Sequence, residues 1–180
     1  MTMGALHEGH LDLVRIAKQQ VDRVAVSIFV NPTQFGPNDD FSRYPRTLDA
    51  DIAKLKTVQT DAVFLPGEHN LNRSTSAGTV VTVNGIDNTA EGRARPGHFQ
   101  GVATIVSKVI SIVRPHKSFF GQKDGMQCIV IGRAVRELNL QTDVVICPTR
   151  RHEDGLAMSS RNMYLSATER KAAPALYRAL

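Results

Sequence analysis

The first residues able to do chemistry are two histidines, His7 and His10, three apart in the run TMGALHEGH (2–10). Gly4 lets the backbone turn tightly, and Gly9 lets a ligand approach the opening of a helix. The first-turn N–H groups of a helix lack intrahelical partners and its amino end carries positive potential, so a phosphate is favoured there. Two imidazoles on one face of that turn can donate hydrogen bonds to phosphoryl oxygens as negative charge builds. A solvent-facing histidine pair and a zinc-binding pair are the rival readings. A second cluster is FFGQKD (119–124). Lys123 can reach a triphosphate as a mobile point charge, and Asp124 can accept from ribose hydroxyls or cap the helix that follows. Gln127 lies about one turn on, on the side of Asp124. The third cluster is MSSRN (158–162), whose two hydroxyls and guanidinium can wrap an anion with charge-assisted hydrogen bonds. No GxSxG elbow occurs, which disfavours a serine hydrolase.

These clusters need a scaffold. Gly9–Gln20 carries Leu11, Val14, Ile16 and Ala17 at helical spacing, and VAVSIFV (24–30) is a β-branched run that stops at Asn31–Pro32. Thr47–Thr57 reads as a helix and Ala62–Leu65 as a strand. Glu68–Gly78 reads as loop and Thr79–Val83 as a short strand. Helices are expected over Val102–Val113, Met126–Leu138 and Thr168–Leu180, with strands over Ser118–Phe120 and Val144–Cys147. Strands alternating with helices imply an α/β fold, a doubly wound parallel sheet whose ligands sit beyond the carboxyl ends of the strands. The polar clusters NPTQF, GQKD and 150–161 follow those ends.

Composition sets the remaining bounds. A chain of 180 residues, 42% hydrophobic and 22% charged, suits one globular domain spanning 1–180. Cys128 and Cys147 lie in apolar runs without metal-ligand spacing, so no disulfide framework and no protein metal site is expected. No apolar stretch reaches membrane-spanning length and the start lacks the features of a signal peptide, which makes a cytoplasmic location the expectation. A net charge of +5 favours anionic partners. With seven Phe, three Tyr and no Trp, a stacking surface for nucleic acid has little support.

Taken together, TMGALHEGH (2–10), VSIFVNPTQF (26–35), YPRT (44–47), EGRARPGHFQGVATIV (91–106), FFGQKD with Gln127, and DGLAMSSRNMYL (154–165) resemble the pantoate–β-alanine ligase (pantothenate synthetase) family of the HxGH nucleotidyltransferase superfamily. That resemblance implies a Rossmann-like fold and ligation of pantoate to β-alanine through a pantoyl adenylate, with ATP as co-substrate and Mg²⁺ required. It implies small-molecule partners only, neither nucleic acid nor membrane, and a homodimer. Transferred by position, Met3, Gly4, His7 and His10 would line the ATP site. His10 would be the proton donor or phosphate-stabilising histidine, with His7 and Lys123 also catalytic. Gly121, Gln122, Lys123 and Asp124 would hold ribose and phosphates, and Met158, Ser159, Ser160 and Arg161 would close over the triphosphate. Arg150 stands where the family usually has an apolar residue whose backbone meets adenine. Gln34 and Gln127 would grip pantoate, with Arg95 and His98 nearby. Asp51 matches a metal-ligand position of some members, but its neighbours Ala50 and Lys54 suggest that the metal travels on ATP. The resemblance also implies a strand before Met3 and a domain after Leu180. The 180 residues by themselves are therefore expected to be poorly stable or feebly active. A nucleotidylyltransferase of the same superfamily is the alternative reading.

Overall fold

The computed structural model describes residues 1–37, 39–67, 71 and 78–180. Helix α1 (Glu8–Lys18) buries Leu11, Val14 and Ala17, the i, i+3 stripe that the sequence carries. Glu8 in its first turn and Arg15 and Lys18 in its last complement the helix dipole. Strand β1 (Ala25–Ser27) pairs in parallel with β2 (Ala62–Phe64), in the register Ala25 to Ala62, and α2 (Leu48–Thr57) lies between them in sequence. After the short helix α3 (Ala90–Ala94), the long helix α4 (His98–Val113) leads to β3 (Lys117–Gly121). Helix α5 (Gly125–Glu137) then crosses to β4 (Asp143–Cys147), parallel to β3 with Lys117 beside Asp143 and Gly121 beside Cys147. Two short helices follow, α6 (Ala167–Ala172) and α7 (Ala175–Ala179).

The chain is thus α/β with parallel strands, as expected. The strands form two pairs rather than one continuous sheet. Between β1 and β3 lies an apolar cavity of about 290 Å³, with Val26, Phe64, Val109, Ile110 and Phe119 among its walls. Thr2 is the residue that pairs along this side of β1: its N–H donates to Ser27 O at 2.8 Å, and Phe29 N–H donates to Thr2 O at 3.0 Å. One core cluster joins α4 and α5 to β3 through Val102, Ile105, Val109, Ile131 and Phe120. Another joins α1, β1 and α2 through Leu11, Val14, Val26 and Leu55.

The structure differs from the sequence reading at several places. Residues 79–83 form no strand; Val81 N–H donates to the Thr104 hydroxyl at 2.9 Å, so a helix side chain replaces a neighbouring strand as partner. Thr168–Leu180 is not one helix. It divides around Pro174, whose ring removes a backbone donor. Helix α4 begins at His98, a turn before the apolar periodicity, and α3 was not legible because its five residues are too few to show a period. Of the loop expected over 68–78, only Leu71 and Gly78 fall within the described residues.

Candidate active site

A cleft of about 230 Å³ opens where α1 begins and where β1, β3 and β4 end. Met3, His7, His10, Gln34, Arg95, His98, Gly121, Lys123, Asp124, Gln127, Arg150, Met158, Ser159, Ser160 and Arg161 all contribute to its lining. Two residues expected at the site do not. Gly4 is buried behind the turn with φ +85°, where its role is backbone geometry. Gln122 is exposed, on the short 3₁₀ turn Gln122–Asp124 that presents its two neighbours to the cleft.

The histidines are in ring contact, with centroids 4.1 Å apart. His7 N–H donates to His10 Nδ1 at 3.3 Å, which makes Nδ1 the acceptor and leaves the ring proton on Nε2. Burial, followed by the charges of His7, the Met1 ammonium, Lys123 and Lys54, pulls His10 down to about 3. Burial and then Lys123 also lower His7. Both rings are neutral at pH 7, so His10 can offer a hydrogen bond without carrying a full charge into the cleft. His7 Nδ1 is buried without a hydrogen-bond partner among the described residues.

The next part of the cleft is built around Gly101. A Cβ there would lie 2.2 Å from Thr33 O, so only glycine lets α4 reach the 3₁₀ turn Pro32–Gln34. The Asn31 side chain, 1% exposed, accepts from Thr33 N–H and from the Thr33 hydroxyl and donates to Gly101 O at 3.4 Å. His98 Nδ1 meets Gln34 O at 2.7 Å, and that contact requires the proton on Nδ1. His98 and Asn31 therefore fix the backbone that carries Gln34. Asn31 lies inside NPTQF, where an asparagine before proline reads first as a turn signal; its tie to Gly101 O is set by the tertiary fold.

The segment after β4 crosses the front of the cleft. Ser159 Oγ accepts from Arg161 N–H and starts the 3₁₀ turn Ser160–Tyr164. The Ser160 hydroxyl meets the Tyr44 hydroxyl at 3.0 Å. Arg161 is held by both Asp40 oxygens, at 2.8 and 2.9 Å, and lies over the Tyr44 ring. In this arrangement its guanidinium is committed to a carboxylate, which keeps the Asp40 carboxyl below its ordinary range. Lys123 is likewise paired with its neighbour Asp124, at 3.0 Å, and Arg150 approaches Asp12 at 3.6 Å. Asp40 carried no sequence signal beyond an ordinary acidic loop pair.

The residues present do not fit a protein-held Mg²⁺. Asp51 is 1% exposed, and both of its oxygens already accept protein hydrogen bonds. Among the described residues no group of three His, Cys, Asp or Glu side chains converges as a metal site. Nor is any described helix long and apolar enough to cross a membrane.

The sequence profile of pantoate-beta-alanine ligase matches residues 1–180. The chain belongs to this family. It is 57% identical over 180 residues to the pantothenate synthetase of Carboxydothermus hydrogenoformans and 55% identical over 179 residues to that of Chloroflexus aurantiacus. In both cases 99% of this chain aligns, and it spans 63% of the relative. Among solved structures, the pantothenate synthetase of Thermus thermophilus superposes with a TM-score of 0.95 at 50% identity, covering 99% of this chain and 65% of that one. The Francisella tularensis pantoate-beta-alanine ligase, complexed with beta-gamma ATP and beta-alanine, superposes with a TM-score of 0.92 at 40% identity, covering 98% and 68%. This chain therefore spans just under two thirds of the curated relatives it matches. The family's parallel α/β scaffold is common to both solved structures and to this one.

Proposed function

We propose that the protein joins pantoate to β-alanine at the expense of ATP, releasing AMP and pyrophosphate, and that it works as a cytoplasmic homodimer with Mg²⁺ carried on the nucleotide. The observation that carries this reading is the convergence of His7, His10, Lys123 and Ser159–Ser160 with Gln34 and Gln127 on one cleft, in a chain of this family. The Francisella relative solved with beta-gamma ATP and beta-alanine supports the choice of ligands.

The chemistry asks an anion to attack an anion. Bringing a carboxylate within about 4 Å of a phosphate charge costs roughly 4 kcal/mol at an effective dielectric near 20. The opening of α1, Lys123 and the Nε2–H of His10 offset that repulsion. Gln34 and Gln127 hold pantoate so that a carboxylate oxygen faces the α-phosphorus. A new P–O bond forms there as the bond to the bridging oxygen breaks, and its electron pair leaves with pyrophosphate. Lys123 and the serine pair then stabilise the leaving charge. In the second step the β-alanine amine attacks the acyl carbon, the C–O bond to AMP breaks, and the ammonium proton is lost as the amide forms. Neutral imidazoles suit this task, because they donate hydrogen bonds without forming a tight ion pair with product pyrophosphate.

The test is AMP release from ATP with each acid separately and with both together. Pantoate alone is expected to support one turnover of adenylate, and both substrates to give AMP and pantothenate in equal amounts. AMP formation indifferent to both would sink the reading.

A further inference from the structure

Asp51 lies on α2, outside the cleft lining, and is 1% exposed. A carboxylate this buried must collect hydrogen bonds to offset its lost hydration. Its donors are specific. Oδ2 accepts from Ala5 N–H at 2.9 Å, and Oδ1 accepts from Leu6 N–H at 2.7 Å and from the Thr47 hydroxyl at 3.2 Å. One helical turn on, Lys54 Nζ donates to Leu6 O at 2.5 Å. Helix α2 thus grips three polar groups of the turn that feeds α1, two amides and a carbonyl, each with a charge of complementary sign.

The gripped backbone is unusual. Gly4 has φ +85° and Ala5 φ +48°, two successive residues in the left-handed region. For alanine that conformation is disfavoured and persists only where surrounding bonds impose it. The Ala5 N–H that meets Asp51 belongs to that residue. A Cβ on Gly4 would come within 3.1 Å of Asp51 Oδ2, so the carboxylate also fills the space that a glycine leaves. On either side of the gripped segment, Met3 and His7 enter the cleft, and His10 follows one turn later.

We propose that Asp51 and Lys54 are positioning residues that clamp the Gly4–Leu6 turn in its strained form, so that Met3, His7, His10 and the opening of α1 are set for the nucleotide. The assignment rests on the cleft being a nucleotide site, and it gives Asp51 to the turn instead of to a metal. The Lys54 charge has a second effect: together with Lys123 it helps keep both imidazoles neutral.

The experiment compares the unmodified chain with Asp51→Asn, Lys54→Met and a packing control, Leu55→Ala, in the same helix. Readouts are ATP affinity by titration calorimetry, thermal midpoint, and hydrogen exchange at the Ala5 and Leu6 amides. Asn keeps the volume of Asp but loses the charge and one acceptor. Asp51→Asn is expected to raise the exchange rates of both amides at least tenfold and to weaken ATP at least tenfold. Lys54→Met, at an exposed position that keeps the aliphatic stem, should fold normally and weaken ATP about threefold to tenfold. Leu55→Ala should lower the midpoint as much as Asp51→Asn yet leave ATP affinity within twofold. If the unmodified chain does not bind ATP, the nucleotide-site reading fails and the proposal falls with it. If it binds, and Lys54→Met and Asp51→Asn bind equally well or lose only what Leu55→Ala loses, the clamp is wrong while the nucleotide site stands. Should Asp51→Asn fail to fold, Lys54→Met decides the matter alone.

Discussion

The two sides of the cleft are held in different ways. The wall made by residues 3–10 and 31–34 is tied from behind by buried groups: Asp51 on the first turn, Asn31 and the Gly101 contact on the second. The front, residues 157–164, is tied by the Asp40–Arg161 ion pair, which lies near solvent, and by the half-buried Tyr44–Ser160 hydroxyl pair. Hydrogen bonds shielded from water persist, whereas ion pairs near solvent exchange readily with water and salt. The difference assigns separate tasks. A buried wall can hold imidazoles and amides in a fixed geometry before ligand arrives. A front held by Arg161 can exchange its carboxylate partner for a phosphate, since both accept the same two-pronged donor.

The buried wall is most vulnerable at Gly101. Replacing it with alanine forces a methyl against Thr33 O and is expected to cost about 2–3 kcal/mol in denaturant unfolding, or to push the Gln34 turn away and weaken pantoate at least tenfold. A change under about 1 kcal/mol with unaltered pantoate binding would show that this wall yields as easily as the front.

Acid should loosen the wall next. His10 titrates at about 3 in the folded chain, below the ordinary imidazole value near 6.5. Between those values the unfolded state binds the proton and the folded state does not. Stability is therefore complete above about pH 6.5 and falls as pH drops toward 3, by on the order of 2 kcal/mol between pH 6.5 and 5. Urea midpoints measured over this range should show the slope, and His10→Gln should flatten it. An unchanged slope in that variant would place the acid sensitivity elsewhere.

The front should respond weakly. Ser160→Ala removes the bond to Tyr44 and should cost about 1 kcal/mol, read as a small midpoint shift. Asp40→Ala frees Arg161 at a cost of roughly 0.2–1 kcal/mol. It should also make residues 157–164 several times more sensitive to protease while leaving ATP affinity equal or tighter. A large loss of stability in Asp40→Ala would mean that the front is as firmly built as the wall.

Much of this arrangement was legible in the sequence, and the exceptions follow a pattern. The apolar periods of 11–17 and 102–113 located α1 and most of α4, because helix burial repeats with the chain itself. The β-branched runs located β1 and β4. The strand expected at 79–83 failed because its hydrogen-bond partner is the Thr104 side chain, which no local pattern announces. Asp51 is similar: on α2 it sits where any helix would place a first-turn carboxylate, and its function depends on the turn forty-five residues earlier.

Residue identity and local periodicity act over one or two turns of chain, and they set the types of group available to the cleft and the elements that carry them. Tertiary structure decided which of those groups were free to act. It gave Asp51 to the Gly4–Leu6 turn, Asp40 to Arg161 and Gln34 O to His98, and it made both imidazoles neutral by burying them beside cations. Such pairings join residues from distant parts of the chain, and the energies that fix them, desolvation and charge contact, exist only once the chain has closed around them.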